Sequence, residues 1–187
     1  RTLYEELLNL GVPAGAFSQS TPISVAELAA FHCPSYINSL YDGSIDAKAM
    51  RRIGFPWTAQ LFQRSLCSLG GTLQTAQAAL ETGIALHLSG GYHHAFYAEG
   101  SGFCLFNDLV VAAKTMLRRG LDKILLVDLD VHQGDGSAAM LADEPRIISF
   151  SVHCEKNFPY RKQPSDWDIG LPPDCTEQHY LEAVQQS

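Results

Sequence analysis

The sequence has no CxxC pair: its five cysteines, Cys33, Cys67, Cys104, Cys154 and Cys175, are odd in number and widely scattered. Neither a disulfide framework nor a thiolate zinc finger is indicated, and a reducing compartment, most simply the cytoplasm, is expected. No stretch approaches the ~18 uninterrupted apolar residues of a membrane span. The opening Arg-Thr-Leu-Tyr-Glu-Glu has no signal-peptide core. Positive charge is scarce, with 13 Lys and Arg against 20 Asp and Glu and a net charge of −7. A phosphate-backbone binder needs a basic face to release counterions, so direct nucleic-acid binding is not expected. A lysine-bearing substrate is not excluded by that balance. No internal repeat, low-complexity segment or linker divides the chain, so one domain is expected over residues 1–187. The first residue is not Met, and Thr176 to Ser187 stops without a helix-ending signal, so both ends read as cut from a longer chain.

What is present is apolar. Of the 187 residues 46% are hydrophobic and 18% charged, which suits a folded domain with a real core. Residues 1–50 read as short helices broken by Gly and Pro. Leu3, Leu7, Leu8 and Leu10 make one apolar stripe before Gly11 and Pro13. Ser24 with Glu27 forms a capping box for a helix at 25–31. Pro34 opens a helix that Asp42-Gly43 stops. A long helical pattern runs from about 58 to 81, and Gly70-Gly71 inside it implies close packing. Beyond residue 82 the texture changes to alternating strands and helices. Ile84–Leu88, Lys123–Leu129 and Arg146–Val152 read as strands, the second buried by composition. Leu105–Arg119 and Gly136–Leu141 read as helices. That order implies right-handed crossovers and an α/β fold, a parallel sheet flanked by helices.

Ligands of an open parallel sheet bind beyond the carboxyl ends of its strands. All three predicted strands end in polar clusters. Asp128, Asp130 and His132 recur at every second position, so in an extended chain they point to one side. Carboxylates following Ile-Leu-Leu-Val carry a large desolvation cost unless a cation or a charged histidine meets them. Asp and His suit Zn²⁺ or another divalent first-row metal. Alternatively, the carboxylates cap the next helix and pair with Arg. His93-His94, behind Gly90-Gly91, reads as a metal pair, a general-base pair or two satisfied loop histidines. Asp128 and Asp135 are available to orient one imidazole each through a ring N–H. Gly100-Ser101-Gly102-Phe103 and Phe158-Pro159 offer two aromatic walls for an alkyl chain. Tyr92, Phe96 and Tyr97 read as packing, Arg118-Arg119 as a helix C-terminus, and His32, His87 and His179 as structural.

Taken in order, GGYHHA, GSGFCLFND, ILLVDLDVHQGDG and ISFSVH resemble the zinc-dependent histone deacetylases, which share the arginase/deacetylase fold. IGFPWTAQLF, SLGGTL and DxHQGDG look most like the class IV and bacterial branch. The resemblance implies a three-layer α/β/α domain, here its N-terminal portion only. It implies Asp130 and His132 as two of three zinc ligands, with His94 backed by Asp135 as general base and later acid. His93 backed by Asp128 would supply electrostatic stabilisation. Gly102 would offer its carbonyl to the acyl amide, with Phe103 and Phe158 flanking the lysine stem. A structural potassium ion would be held by the Asp128 and Ser151 side chains and by backbone oxygens of Asp130, His132 and Val152.

Some residues depart from the family pattern. No counterpart of the third zinc ligand, an Asp, or of the transition-state Tyr occurs in this sequence. Gln133 stands where many members have His. Gly54-Phe55-Pro56-Trp57 replaces the rim that carries a substrate-gripping Asp in class I members. The expected activity is removal of acetyl or other acyl groups from lysine side chains of a protein or peptide. Hydrolysis of acetylpolyamines or other small amides is the alternative on the same fold. A two-manganese ureohydrolase would need further Asp-rich segments, and a non-catalytic acyl-lysine or acylpolyamine binding module would follow if the chain were naturally this short. Oligomeric state is not legible.

Overall fold

The computed structural model describes residues 2–186. Arg1 and Ser187, on which the expectation of cut ends partly rests, lie outside them. Among the described residues six α-helices precede the first strand: α1 (Thr2–Asn9), α2 (Val25–Leu28), α3 (Pro34–Asp42), α4 (Ala47–Ile53), α5 (Ala59–Thr82) and α6 (Asp108–Arg118). The order then runs β1 (Ile124–Asp128), α7 (Asp135–Leu141), β2 (Ile147–Cys154), β3 (Trp167–Leu171) and α8 (Glu177–Gln185). The three strands form one parallel sheet in the order β1-β2-β3, with Asp128 opposite Ser151 and Val152 opposite Ile169. The α/β class with a parallel sheet holds.

The helix ends follow the polar residues at their starts. The Ser24–Glu27 capping box is complete, although its helix stops at Leu28. Asp42-Gly43 ends α3, with Gly43 left-handed at φ 78°. Asn107 caps α6 by accepting the Val110 N–H, which moves its start to Asp108. On α5, Gly70 and Gly71 give the predicted close approach. A Cβ at Gly70 would land on the Thr21 carbonyl, and one at Gly71 would strike the His87 ring. His87 itself bonds the Ser68 carbonyl through Nε2 at 3.1 Å.

Burial alternates across the sheet because successive strand residues face opposite sides. Ile124, Leu126 and Ile147 pack under α6 and α7, with Val110, Leu117 and Leu141. On the other face Phe150, Val152 and Leu171 meet Tyr180, Ala183 and Val184 of α8. A larger apolar core joins α2–α6, centred on Phe106, whose ring lies edge-on to His32, Tyr36 and Phe62. Arg118, at the end of α6, stacks its guanidinium 4.4 Å over Phe31.

Four expectations need correction. Ile84–Leu88 is extended but joins no sheet among the described residues, and Ile84 and Leu86 are exposed. β1 is not buried on both faces, because α8 covers β2 and β3 only and leaves Leu125 and Val127 exposed. Tyr97 is not a packing residue: its ring is exposed, and its carbonyl instead accepts from Cys33 N–H and His32 Nδ1. His179 is likewise exposed, in the first turn of α8, where its N–H meets the capping Thr176. Elements α4, β3 and α8 were not anticipated. No described helix is long and apolar enough to cross a membrane.

Candidate active site

The predicted residues converge at the carboxyl ends of β1 and β2. His93 and His94 lie side by side, ring centroids 4.1 Å apart, and both are buried. His93 Nδ1 meets Asp128 Oδ2 at 2.6 Å, and His94 Nδ1 meets Asp135 Oδ1 at 2.7 Å. An ionised carboxylate only accepts, so each Nδ1 donates to its aspartate, which leaves Nε2 as the atom that gains or loses a proton. Burial pulls His93 toward its neutral form. The Asp128 hydrogen bond and charge, helped by Asp130 and Asp135, outweigh it and hold the proton affinity above that of an ordinary imidazole.

Local bonds fix these pairs. Asp128 ends β1, where its Oδ1 accepts the Asp130 N–H at 3.1 Å. Asp135 opens α7, whose Ser137 N–H is tied to the His93 carbonyl at 3.0 Å. From behind, the buried Asn107 amide donates to the Ala95 carbonyl at 3.1 Å and to Ser137 Oγ at 3.0 Å. The Asn107 N–H in turn donates to His32 Nε2 at 3.0 Å. Burial lowers the His32 pKa to about 4, so this imidazole is neutral and structural as expected. Neither Asn107 nor Asp108, which accepts from Thr72 Oγ1 and from the N–H groups of Gly91 and Tyr92, was singled out from the sequence. Their place in the GFCLFND run was the available signal.

Asp130 and His132 meet by a different route from the one expected. The chain bends at 130–132 instead of staying extended, because Asp130 Oδ1 accepts the His132 N–H at 2.8 Å. That turn brings His132 Nδ1 to 3.0 Å from Asp130 Oδ1, with the two side chains 38% and 51% exposed. Burial raises the Asp130 carboxyl, but the bond from the His132 N–H and the nearby imidazoles bring it below the ordinary range. Zinc bonds of about 2.0–2.2 Å at tetrahedral angles set neighbouring donors roughly 3.3 Å apart. The observed 3.0 Å is a hydrogen-bond length a few tenths of an ångström short of that, so the two donors would part slightly to share an ion. Among the described residues no third His, Cys, Asp or Glu joins them. The potassium candidates Asp128 and Ser151 are opposite in the strand register, with Val152 next to Ser151, and Ser151 Oγ already bonds His153 Nδ1 at 2.9 Å.

The walls stand beside the histidines. Gly102, at φ 50°, is packed so that a Cβ would lie 2.5 Å from His94 Cδ2 and 3.1 Å from Phe158 Cε1. The Phe158 ring sits 4.9 Å from His94 and 6.0 Å from His132. Phe103 is left-handed at φ 66°, held by its N–H to the Ile53 carbonyl at 2.7 Å, and its exposed ring meets Phe55 edge-on at 5.2 Å. The Gly54–Trp57 segment thus buttresses the Phe103 wall and presents no carboxylate. Burial pushes the Cys104 thiol up to about 12, and it donates to the Gly102 carbonyl at 3.3 Å. A carbonyl has a second lone pair for another donor.

The histone deacetylase domain model matches residues 1–187. An uncharacterized protein of Picosynechococcus sp. is 48% identical over 187 residues, 98% of this chain and 62% of its own length. Histone deacetylase 8 of Xenopus laevis is 34% identical over 140 residues, 70% of this chain and 43% of its own length. The crystal structure of an HDAC homolog from Aquifex aeolicus superposes with a TM-score of 0.83 at 25% identity, over 98% of this chain and 55% of that one. This chain therefore spans about two-fifths to three-fifths of the length of these relatives.

Proposed function

The chain belongs to the histone deacetylase family, and on that premise we propose that the full-length protein is a zinc-dependent hydrolase removing acetyl or other acyl groups from lysine side chains. The observation that carries this reading is the paired arrangement His93–Asp128 and His94–Asp135 beside Asp130 and His132. Asp130 and His132 would hold the zinc. Such an ion supplies Lewis-acid polarisation of a carbonyl and acidification of a water.

The chain's own residues account for the remaining chemistry. His94, with its proton fixed on the Asp135 side, takes a proton from the attacking water at Nε2 and passes it to the leaving amine. His93, held toward its protonated form by Asp128, stabilises negative charge developing on the acyl oxygen. The free lone pair of the Gly102 carbonyl accepts the amide N–H of the substrate. Phe103 and Phe158 flank the alkyl stem. We place a third zinc ligand and an oxyanion-donating tyrosine in the length of the relatives that this chain does not span. Asp128, Ser151 and the carbonyls of Asp130, His132 and Val152 would hold a potassium ion beneath the site. The five free cysteines accord with a cytoplasmic setting.

One observation favours a second reading. The aromatic buttress Gly54–Trp57 leaves no carboxylate to grip a peptide backbone, which suits small acylated amines such as acetylpolyamines. Acetate release by the full-length protein from an acetyl-lysine peptide and from an acetylated polyamine, with bound metal counted, separates the readings. Turnover of the peptide with one zinc per chain is expected. Faster turnover of the polyamine moves the substrate to the second reading, and binding of either compound without acetate release refutes the hydrolase.

A further inference from the structure

Residues 155–165 carry the Phe158 wall between β2 and β3 without regular structure of their own. Ordering such a loop costs conformational entropy, so specific bonds must hold it. One buried side chain anchors the loop's C-terminal part. Gln133, 1% exposed, donates through Nε2 to the Gln163 carbonyl at 2.7 Å and to Asp168 Oδ1 at 2.8 Å. Its Oε1 accepts the Gln163 N–H at 2.9 Å, so amide and backbone pair as two strand residues would. Asp168, on β3, accepts the Ser165 N–H through Oδ2 at 2.8 Å. Within the loop, Lys162 Nζ donates to the carbonyls of Asn157 and Pro159 at 2.7 Å each, which carries the constraint to Phe158.

We propose that Gln133 and Asp168 are positioning residues that latch the 157–165 loop, and so set the Phe158 wall against His94. Gln133 directly follows the candidate metal ligand His132, so the latch ties that turn and the wall into one unit. Glutamine is required because the site needs two donors and one acceptor from a planar head. Glutamate has no donor for Gln163 and would place its carboxylate against that of Asp168. The role of the wall rests on the hydrolase reading; the latch itself does not.

The test uses the full-length protein, limited trypsin digestion with cuts mapped by mass, and KM and kcat for an acetyl-lysine peptide. Gln133→Glu should speed cleavage after Arg161 and Lys162 by ~10-fold, since hydrogen bonds involving a charged partner are lost from a buried site. KM should rise by a similar ~10-fold with a smaller change in kcat, because a wall contact holds substrate and transition state alike. Gln133→Glu with Asp168→Asn moves the donor to position 168 and removes the carboxylate repulsion but leaves the Gln163 carbonyl without its donor, so it should recover part of the lost protection. Wild-type protection in Gln133→Glu overturns the latch, as does a double variant no better protected than the single. Faster cleavage with unchanged KM overturns the link to the Phe158 wall. If Gln133→Glu is cut throughout the chain, recovery in the double variant decides. An inactive wild-type protein would sink the hydrolase reading and leave the proteolysis test of the latch standing.

Discussion

Replacing Asn107 by Ala removes the side chain that holds the tandem-histidine segment from behind, and its cost follows from the bonds lost. Oδ1 caps α6 at Val110, and Nδ2 donates to the Ala95 carbonyl and Ser137 Oγ, all fully out of water. Loss of an N-cap costs about 1 kcal/mol. Leaving the buried Ala95 carbonyl without a donor costs a further 1–3 kcal/mol, roughly. Urea unfolding of Asn107→Ala should therefore show about 2–4 kcal/mol less stability at an unchanged m-value. Asn107→Ser restores the cap but does not supply the donor to Ala95. It should recover about 1 kcal/mol and no more. Because His94 directly precedes Ala95, kcat should fall in both variants. A loss under about 0.5 kcal/mol in Asn107→Ala, within the range of an ordinary surface change, would refute the reasoning. Equal stability of the Ser and Ala variants would refute its division into cap and donor.

Gly102→Ala puts a Cβ against the His94 ring edge and Phe158 at a left-handed position. Displacement of a reacting group by about 1 Å can cost on the order of 10²-fold, so kcat/KM should fall by that order with bound zinc unchanged. A wild-type kcat/KM would show that Gly102 does not pack on the base. His32 titrates near 4 when folded and near 6.5 when unfolded. The folded state binds fewer protons in that window, so the stabilisation from a neutral His32 is present above 6.5 and is lost as pH falls toward 4. The loss between pH 7 and 4.5 should be about 2–3 kcal/mol. His32→Gln, measured by urea unfolding in the presence of a chelator, should flatten the acid limb by that amount; parallel pH profiles would contradict it.

Local signals carried much of the fold. The Ser24–Glu27 box, Asp42-Gly43 and the small pair Gly70-Gly71 each act over a few residues, and each appears in the structure as expected. Burial of β1 was less legible, because composition cannot say which neighbour covers Leu125 and Val127. β3 was missed because Asp168 and Gly170 dilute a five-residue strand, and Asp168 serves Gln133 and Ser165 instead of the core. At the site, the carboxylates that pair with His93 and His94 were legible as residue types at strand ends. The bend at 130–132 was not, since period-two spacing is shared by a strand and by successive side-chain-capped turns. The roles of Asn107, Gln133 and Asp168 stayed hidden for a common reason: each acts on residues 12 to 35 positions away in the chain.

The central claim is that His94, oriented by Asp135, moves the proton in amide hydrolysis. The most direct measurement is single-turnover acetate release from an acetyl-lysine peptide by full-length His94→Ala, with bound zinc matched to wild type. The account predicts a rate at least ~10²-fold below wild type, within the range for loss of a general base. A rate within ~3-fold of wild type, well short of that range, would contradict it.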